Sequence, residues 1–226
     1  LSAGSLWSRR LARKPDGWGL PDQLRFRVLG MTTVFLLSPA RCSGRRAEML
    51  ISSRTSEMGK QLRSNGAPLG EVFSWLSALY FRGKLTYARA FATPPTSLVM
   101  APGAGLRSVD ARITADDLRV MGTIDIESDA FVQPLRRDAA IVNQTYGADV
   151  RVVLLGSIAT GKYADTLLEA FGTRLLFPET FVGRGDMSRG GLLLRSARTR
   201  EELTYVPIQG ATVRGPRPPK LPKIRR

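Results

Sequence analysis

The chain has 226 residues, 43% of them hydrophobic, with a net charge of +15 and a pI near 11.1. That length and apolar content support one domain with a real core and exclude wholesale disorder, while the charge favours an anionic partner: nucleic acid, a phosphorylated metabolite or an acidic membrane surface. Histidine is absent and Cys42 is the sole cysteine, which excludes an intramolecular disulfide, a structural zinc site and any Ser-His or Cys-His catalytic pair. The charge is uneven. Residues 1–30 carry +4 and residues 214–226 carry +6, leaving +5 for the middle of the chain. The domain itself is therefore only moderately basic.

No apolar run approaches the roughly 20 residues needed to span a bilayer. Val34 to Leu37 followed by Cys42 faintly resembles a lipoprotein signal, but the apolar stretch is short and Arg41 stands where a small residue is needed. The expectation is a cytoplasmic protein with no membrane partner and no cofactor.

Residues 1–30 are rich in Arg, Gly, Pro and Trp without periodicity, and Met31 leads straight into a strand over residues 32–37. The expectation is that Met31 is the native start and that residues 1–30 are a non-native or disordered extension. Residues 45–62 have helical spacing in Met49, Leu50, Met58 and Leu62, and residues 64–70 have turn chemistry. An amphipathic helix follows from Glu71 with Val72, Leu76, Leu79 and Tyr80 on one face; Gly83 is expected to divide it from residues 84–91, and Pro94 and Pro95 to stop it. Residues 97–100 read as a buried strand running into the turn Pro102-Gly103-Ala104-Gly105.

Thr114 and Asp117 match a capping box, and residues 134–146 read as a helix closed by Gly147. Residues 150–155 form the clearest strand, an apolar run of branched residues suited to a sheet covered on both faces. A loop over 156–161, a helix over 163–171 ended by Gly172, and a strand over 174–177 come next. The glycine-rich loop 183–191 precedes a helix over 192–198 and a last strand over 202–208, and residues 214–226 read as a solvated, proline-rich, disordered tail. Strands alternating with helices predict an α/β fold: one compact domain over residues 31–213, a mixed sheet flanked by helices, and basic ends.

Three motifs carry possible chemistry. Gly156-Ser157-Ile158-Ala159-Thr160-Gly161-Lys162-Tyr163 lies between strand and helix with the glycine spacing and lysine of a phosphate-binding loop. Tyr163 stands where the magnesium-binding hydroxyl should be, so the loop reads as an anion-binding turn or as a plain turn exposing Lys162, with no metal. Ser38-Pro39-Ala40-Arg41-Cys42-Ser43-Gly44-Arg45-Arg46 passes from strand to helix, with Ser43 as N-cap and arginines that oppose the helix dipole unless an anion binds there. The alternative is a solvated basic turn. Gly183-Arg184-Gly185-Asp186-Met187-Ser188-Arg189-Gly190-Gly191 offers donors in Arg184, Ser188 and Arg189; Asp186 is either a general base or the N-cap of the next helix. Pro102 to Arg107 adds a weaker glycine turn. All follow strands, so they can meet in one crevice at the strands' carboxyl ends.

Phe35-Leu36-Leu37-Ser38-Pro39-Ala40, Leu154-Leu155-Gly156-Ser157 with the Tyr163 that closes the loop, and Arg184-Gly185-Asp186-Met187-Ser188-Arg189 together resemble the bacterial YaaA peroxide-stress family. The resemblance implies a compact α/β fold with a positively charged cleft and DNA binding. The whole chain also resembles bacterial proteins of similar length with no assigned activity. The sequence thus predicts nucleic-acid binding through a basic crevice formed by Ser38, Arg41, Ser43, Arg45, Gly156, Ser157, Thr160, Gly161, Lys162, Arg184, Ser188 and Arg189. The alternative is an enzyme of nucleotide or modified-nucleoside metabolism with its phosphate loop at 156–162 and Asp186 as base.

Overall fold

The computed structural model describes residues 32–92, 97–158, 161–212, 215–219 and 221, and for Lys162 the main chain only. The expected extension over 1–30 lies outside them, as do Pro94 and Pro95. In chain order the elements are β1 (Thr32–Leu37), α1 (Arg45–Ser52), α2 (Glu57–Arg63), β2 (Ala67–Pro68), α3 (Leu69–Phe91), β3 (Ser97–Ala101), β4 (Gly105–Ser108) and β5 (Arg112–Ile113). They continue with α4 (Ala115–Thr123), α5 (Asp129–Tyr146), β6 (Val150–Leu155), α6 (Lys162–Phe171), β7 (Leu175–Pro178), α7 (Asp186–Thr199) and β8 (Tyr205–Pro207). No helix among the described residues is long and apolar enough to cross a membrane.

The fold is the single α/β domain that the sequence predicts. Six strands form one mixed sheet in the order β4-β3-β1-β6-β7-β8, and β2 pairs with β5 in a separate short ribbon. β1 is buried along its whole length, because its apolar run is matched by parallel neighbours on both sides and by helices on both faces. It pairs with β6 in continuous register from Thr32 opposite Val150 to Leu37 opposite Leu155. From β1 the chain crosses to β3 on one side, whereas from β6 it crosses to β7 on the other. Right-handed crossovers in opposite directions put α3 and α6 on opposite faces of the sheet. The space beyond the carboxyl ends of β1 and β6 is therefore the switch point where open α/β sheets receive ligands.

Several boundaries differ from the sequence reading for local reasons. The helix expected over 45–62 is broken: Ser53 Oγ accepts from the Ser56 N–H at 3.0 Å, and Ser56 Oγ caps α2 by accepting from the Gly59 N–H at 3.3 Å. Serines that bond to nearby main chain compete with helix continuation. The residue capping α1 is Gly44, with no side-chain cap bond, and Ser43 instead accepts from Arg41 Nε at 3.5 Å. The turn at 102–104 joins β3 to β4 as a hairpin, which leaves Arg107 inside a strand, paired at 3.0 Å with buried Asp138. α5 begins five residues before Pro134, and α7 begins at Asp186, so most of the expected glycine-rich loop is helical and its N-cap is Gly185.

The largest departure is in α3. Gly83 does not divide it; the break is at Ala78, whose φ of 49° and ψ of −122° lie outside the helical region. Gly83 instead lies in close approach to α7: a Cβ there would fall 2.7 Å from Gly190 O, and one at Gly190 would fall 2.7 Å from Leu79 O. The two glycines let the helix backbones touch, and this draws α7 against the segment of α3 that carries Tyr80 and Lys84. An alanine at Ala78's angles, those of the first central residue of a type II′ turn, carries a steric cost that glycine does not. Ala78→Gly should accordingly leave stability unchanged or raise it by up to about 1 kcal/mol, whereas the same change at a regular helical position costs about 1 kcal/mol. Equilibrium urea unfolding measures it, and a loss of about 1 kcal/mol would show that α3 is continuous through this point.

Candidate functional site

Ser38 is the first residue beyond β1, and its N–H donates to Leu155 O at 3.2 Å, keeping β1 and β6 paired where both strands end. Gly156 follows β6 directly beside it: a Cβ at that position would lie 2.9 Å from both Ser38 Cβ and Tyr163 Oη. Only glycine allows the two loops and the tyrosine to meet this closely. Tyr163, in the first turn of α6, turns its hydroxyl back over the strand ends, where it accepts from the Ser157 N–H at 3.1 Å and lies beside the Ser38 side chain.

From the other face of the sheet, α3 brings Lys84. Its side chain is fully buried, and Nζ donates to Ser38 O at 2.7 Å and meets Ser38 Oγ at 2.9 Å. The amine also sits 4.6 Å from the ring centroids of Tyr80 and Phe81. No carboxylate forms an ion pair with it among the described residues. Burial without a counter-ion penalises the ammonium and lowers its pKa from the ordinary lysine value to about 7; the more distant charge of Asp186 opposes this only in part. Tyr80, one helical turn before Lys84, is 7% exposed and its hydroxyl has no hydrogen-bond partner among the described residues. Burial raises its pKa, while the Arg189 guanidinium, close but without the geometry of a full hydrogen bond, and the charges of Asp186 and Tyr163 act on it less strongly. Ser38, Tyr163, Tyr80 and Lys84 thus form a buried polar cluster at the switch point. A hydroxyl beside an amine that is neutral near physiological pH can undergo proton transfer, which neither group could do alone in water.

The residues singled out in the sequence divide around this cluster. Ser38, Gly156 and Ser157 belong to it. Arg41, Ser43 and Arg45 lie on the segment leaving Ser38, the two arginines exposed. Gly161 caps α6 and its carbonyl accepts from the Ala164 and Asp165 N–H groups, so these helix-start donors are already used. Thr160 and the side chain of Lys162 lie outside what the structure describes. Arg184 donates to Thr180 O at 3.0 Å and to Ser188 Oγ at 3.1 Å. Arg189 donates to Phe181 O from both Nε and Nη2 at 3.2 Å, with its Nη1 3.7 Å from Asp186 Oδ1. These two arginines hold the chain before α7 in place, and the charge of Arg189 also acts on Tyr80 and Tyr163. Asp186 is exposed and contributes field rather than contact. Cys42 is buried, and its thiol is pushed up to about 12 by burial, which leaves it unreactive.

Lys84 and Tyr80 escaped the sequence reading because they sit within an amphipathic helix rather than a motif. The available signal was a lysine continuing the four-residue stripe of Leu76 and Tyr80 on the apolar face. No histidine exists in the chain, and among the described residues no group of His, Cys, Asp or Glu is placed to hold a metal ion.

No protein-family model, no curated protein and no solved structure matches the chain. The chemistry of the site therefore has to be read from its own geometry.

The depressed lysine has a consequence for stability. Between about pH 7 and the ordinary lysine range the unfolded chain binds a proton at Lys84 that the folded chain does not, so stability rises with pH there. Cys42 and the buried tyrosines, all raised, act oppositely from about pH 9 upward. Urea unfolding from about pH 7 to 9 should show rising stability in the intact protein and a flatter profile in Lys84→Met. Identical slopes in the two proteins would mean that Lys84 titrates normally.

Proposed function

We propose that the protein binds a nucleoside or nucleotide in the crevice beyond β1 and β6. The observation that carries this reading is the buried cluster of hydroxyls and one amine, Ser38, Tyr163, Tyr80 and Lys84, lying at the switch point. A neutral polar cluster reads a ligand by hydrogen bonds, and rejects analogues that leave its groups unpaired, more effectively than it attracts bulk negative charge. The exposed Arg41 and Arg45, just past Ser38, supply the cationic edge that a phosphate needs. A polymer running across this face would instead need a continuous exposed basic stripe, and Arg184 and Arg189 are engaged with main-chain carbonyls.

Binding of DNA along the rim is the second reading. It is favoured by the net charge of +15 and by Arg41, Arg45 and Arg46 all being exposed. Salt separates the two, because polymer binding through six or more phosphates loses about a thousandfold or more between roughly 50 and 200 mM salt, through counterion release. Fluorescence anisotropy with labelled mononucleotides and with single- and double-stranded oligonucleotides at these concentrations is the test. The proposal expects saturable mononucleotide binding that weakens about tenfold or less and is lost in an Arg41→Glu, Arg45→Glu double variant. Steeply salt-dependent oligonucleotide binding with no mononucleotide binding would establish the second reading instead.

A further inference from the structure

We infer that Ser38 and Lys84 are a nucleophile and its general base, and that the protein cleaves an ester or amide in this crevice by acyl transfer through Ser38. The inference rests on the crevice being a ligand site but not on the ligand being a nucleotide. Three independent features of the structure converge on it.

The first is the geometry of the pair. Lys84 Nζ donates to Ser38 O at 2.7 Å and to Ser38 Oγ at 2.9 Å, so loss of one proton from the ammonium leaves a lone pair within reach of the hydroxyl while the carbonyl still holds the amine. A nucleophile within hydrogen-bond reach of a base that a third group orients is the arrangement that activates serine, and Ser-Lys pairs are one of its forms. The second is the cost of the arrangement. A lysine used only for packing would pair with a carboxylate or extend its head to water. Lys84 does neither, and its surroundings keep it partly neutral near pH 7. The groups that face it are Ser38 from the turn after β1, Tyr80 and Phe81 from its own helix, and at longer range the charge of Asp186 from α7.

The third is the unpartnered Tyr80 hydroxyl, a buried donor with no acceptor. Buried polar groups are nearly always satisfied, so an orphan on the ring that packs 4.6 Å from the Lys84 amine points to an acceptor that arrives with substrate. The oxyanion formed when Ser38 attacks a carbonyl is such an acceptor, and a donor held in place before reaction is the usual means of stabilising it. Tyr163 acts as a positioning residue: anchored by the Ser157 N–H, it holds the Ser38 side chain at the strand end.

Ser38 Oγ forms a bond to the acyl carbon as its proton passes to Lys84 Nζ. The carbonyl oxygen takes up negative charge beside Tyr80, the bond from the acyl carbon to the leaving oxygen or nitrogen breaks with its electron pair, and Lys84 returns the proton to that leaving atom. Water then attacks the acyl-serine ester with Lys84 again taking a proton, and that proton goes back to Ser38 Oγ, releasing the acid.

Fluorophosphonate labelling tests this directly, since such probes bond covalently to activated serines. The full chain is treated with a small alkyl fluorophosphonate, analysed by intact mass and peptide mapping, and assayed for p-nitrophenyl acetate hydrolysis. The expected result is one adduct on Ser38, formed faster as pH rises through about 7. It should be absent in Ser38→Ala and slowed at least about a hundredfold in Lys84→Met, the size of a general-base contribution. Tyr80→Phe should retain labelling but lower ester turnover while leaving its KM little changed, which a purely structural tyrosine would not do. Absence of a Ser38 adduct in folded wild-type protein from about pH 6 to 9, or labelling as fast in folded Lys84→Met, would overturn the inference. Should Lys84→Met fail to fold, the wild-type pH profile decides: a rate flat through about pH 7 would overturn it too. Adduct formation that no mononucleotide slows would leave the acyl-transfer inference standing and remove the nucleotide reading, whereas nucleotide binding without any adduct would do the reverse.

Discussion

The constraint on which the rest of this structure depends is the burial of Lys84. An ammonium removed from water must be met by acceptors or lose its proton, and the only hydrogen-bond acceptors it finds among the described residues are the carbonyl and hydroxyl oxygens of Ser38. That pairing ties the middle of α3 to the end of β1, the strand through which the sheet's two directions of crossover meet. Much of the nearby architecture serves to bring these two atoms together. The break at Ala78 redirects α3 just before Tyr80, and the Gly83–Gly190 contact lets α7 come in behind it. Gly156 leaves room for Tyr163 to close the cluster from the other face.

The site accordingly combines rigid and costly features. An alanine at a positive φ, an uncompensated buried lysine and an unpartnered buried tyrosine each oppose stability. They lie within one short segment of α3, Ala78, Tyr80 and Lys84, opposite one strand end. Strain and unsatisfied polarity gathered at a switch point are characteristic of a site kept for function at the expense of stability.

Much of the fold was legible in the sequence, because it is written in patterns that tertiary contacts do not overrule. The apolar stretches of β1 and β6 marked covered strands, and the Thr114–Asp117 capping box forms as its spacing predicts, with both reciprocal bonds present. The glycines misled. Gly83, Gly185, Gly190 and Gly191 read locally as breaks or loops, yet Gly83 and Gly190 lie inside helices and serve close packing between elements far apart in sequence. The candidate site was half legible for the same reason. Ser38, Gly156 and Ser157 stand in short strand-end motifs that a linear reading finds, whereas Lys84 is 46 residues from Ser38 and its importance exists only once α3 lies over β1. Arg184 and Arg189 read in the sequence only as ligand donors, and their bonds to the carbonyls of Thr180 and Phe181 exist only in the fold.

The central claim is that Lys84 gives up its proton near neutral pH, with Ser38 as its partner. It is tested most directly by following the lysine side-chain 13Cε and 15Nζ resonances of the full chain by NMR across pH, with Lys84→Met used to assign the signal. The account predicts one lysine with a midpoint near 7. A Lys84 resonance that stays in its charged position until about pH 10, with every other lysine, would contradict it.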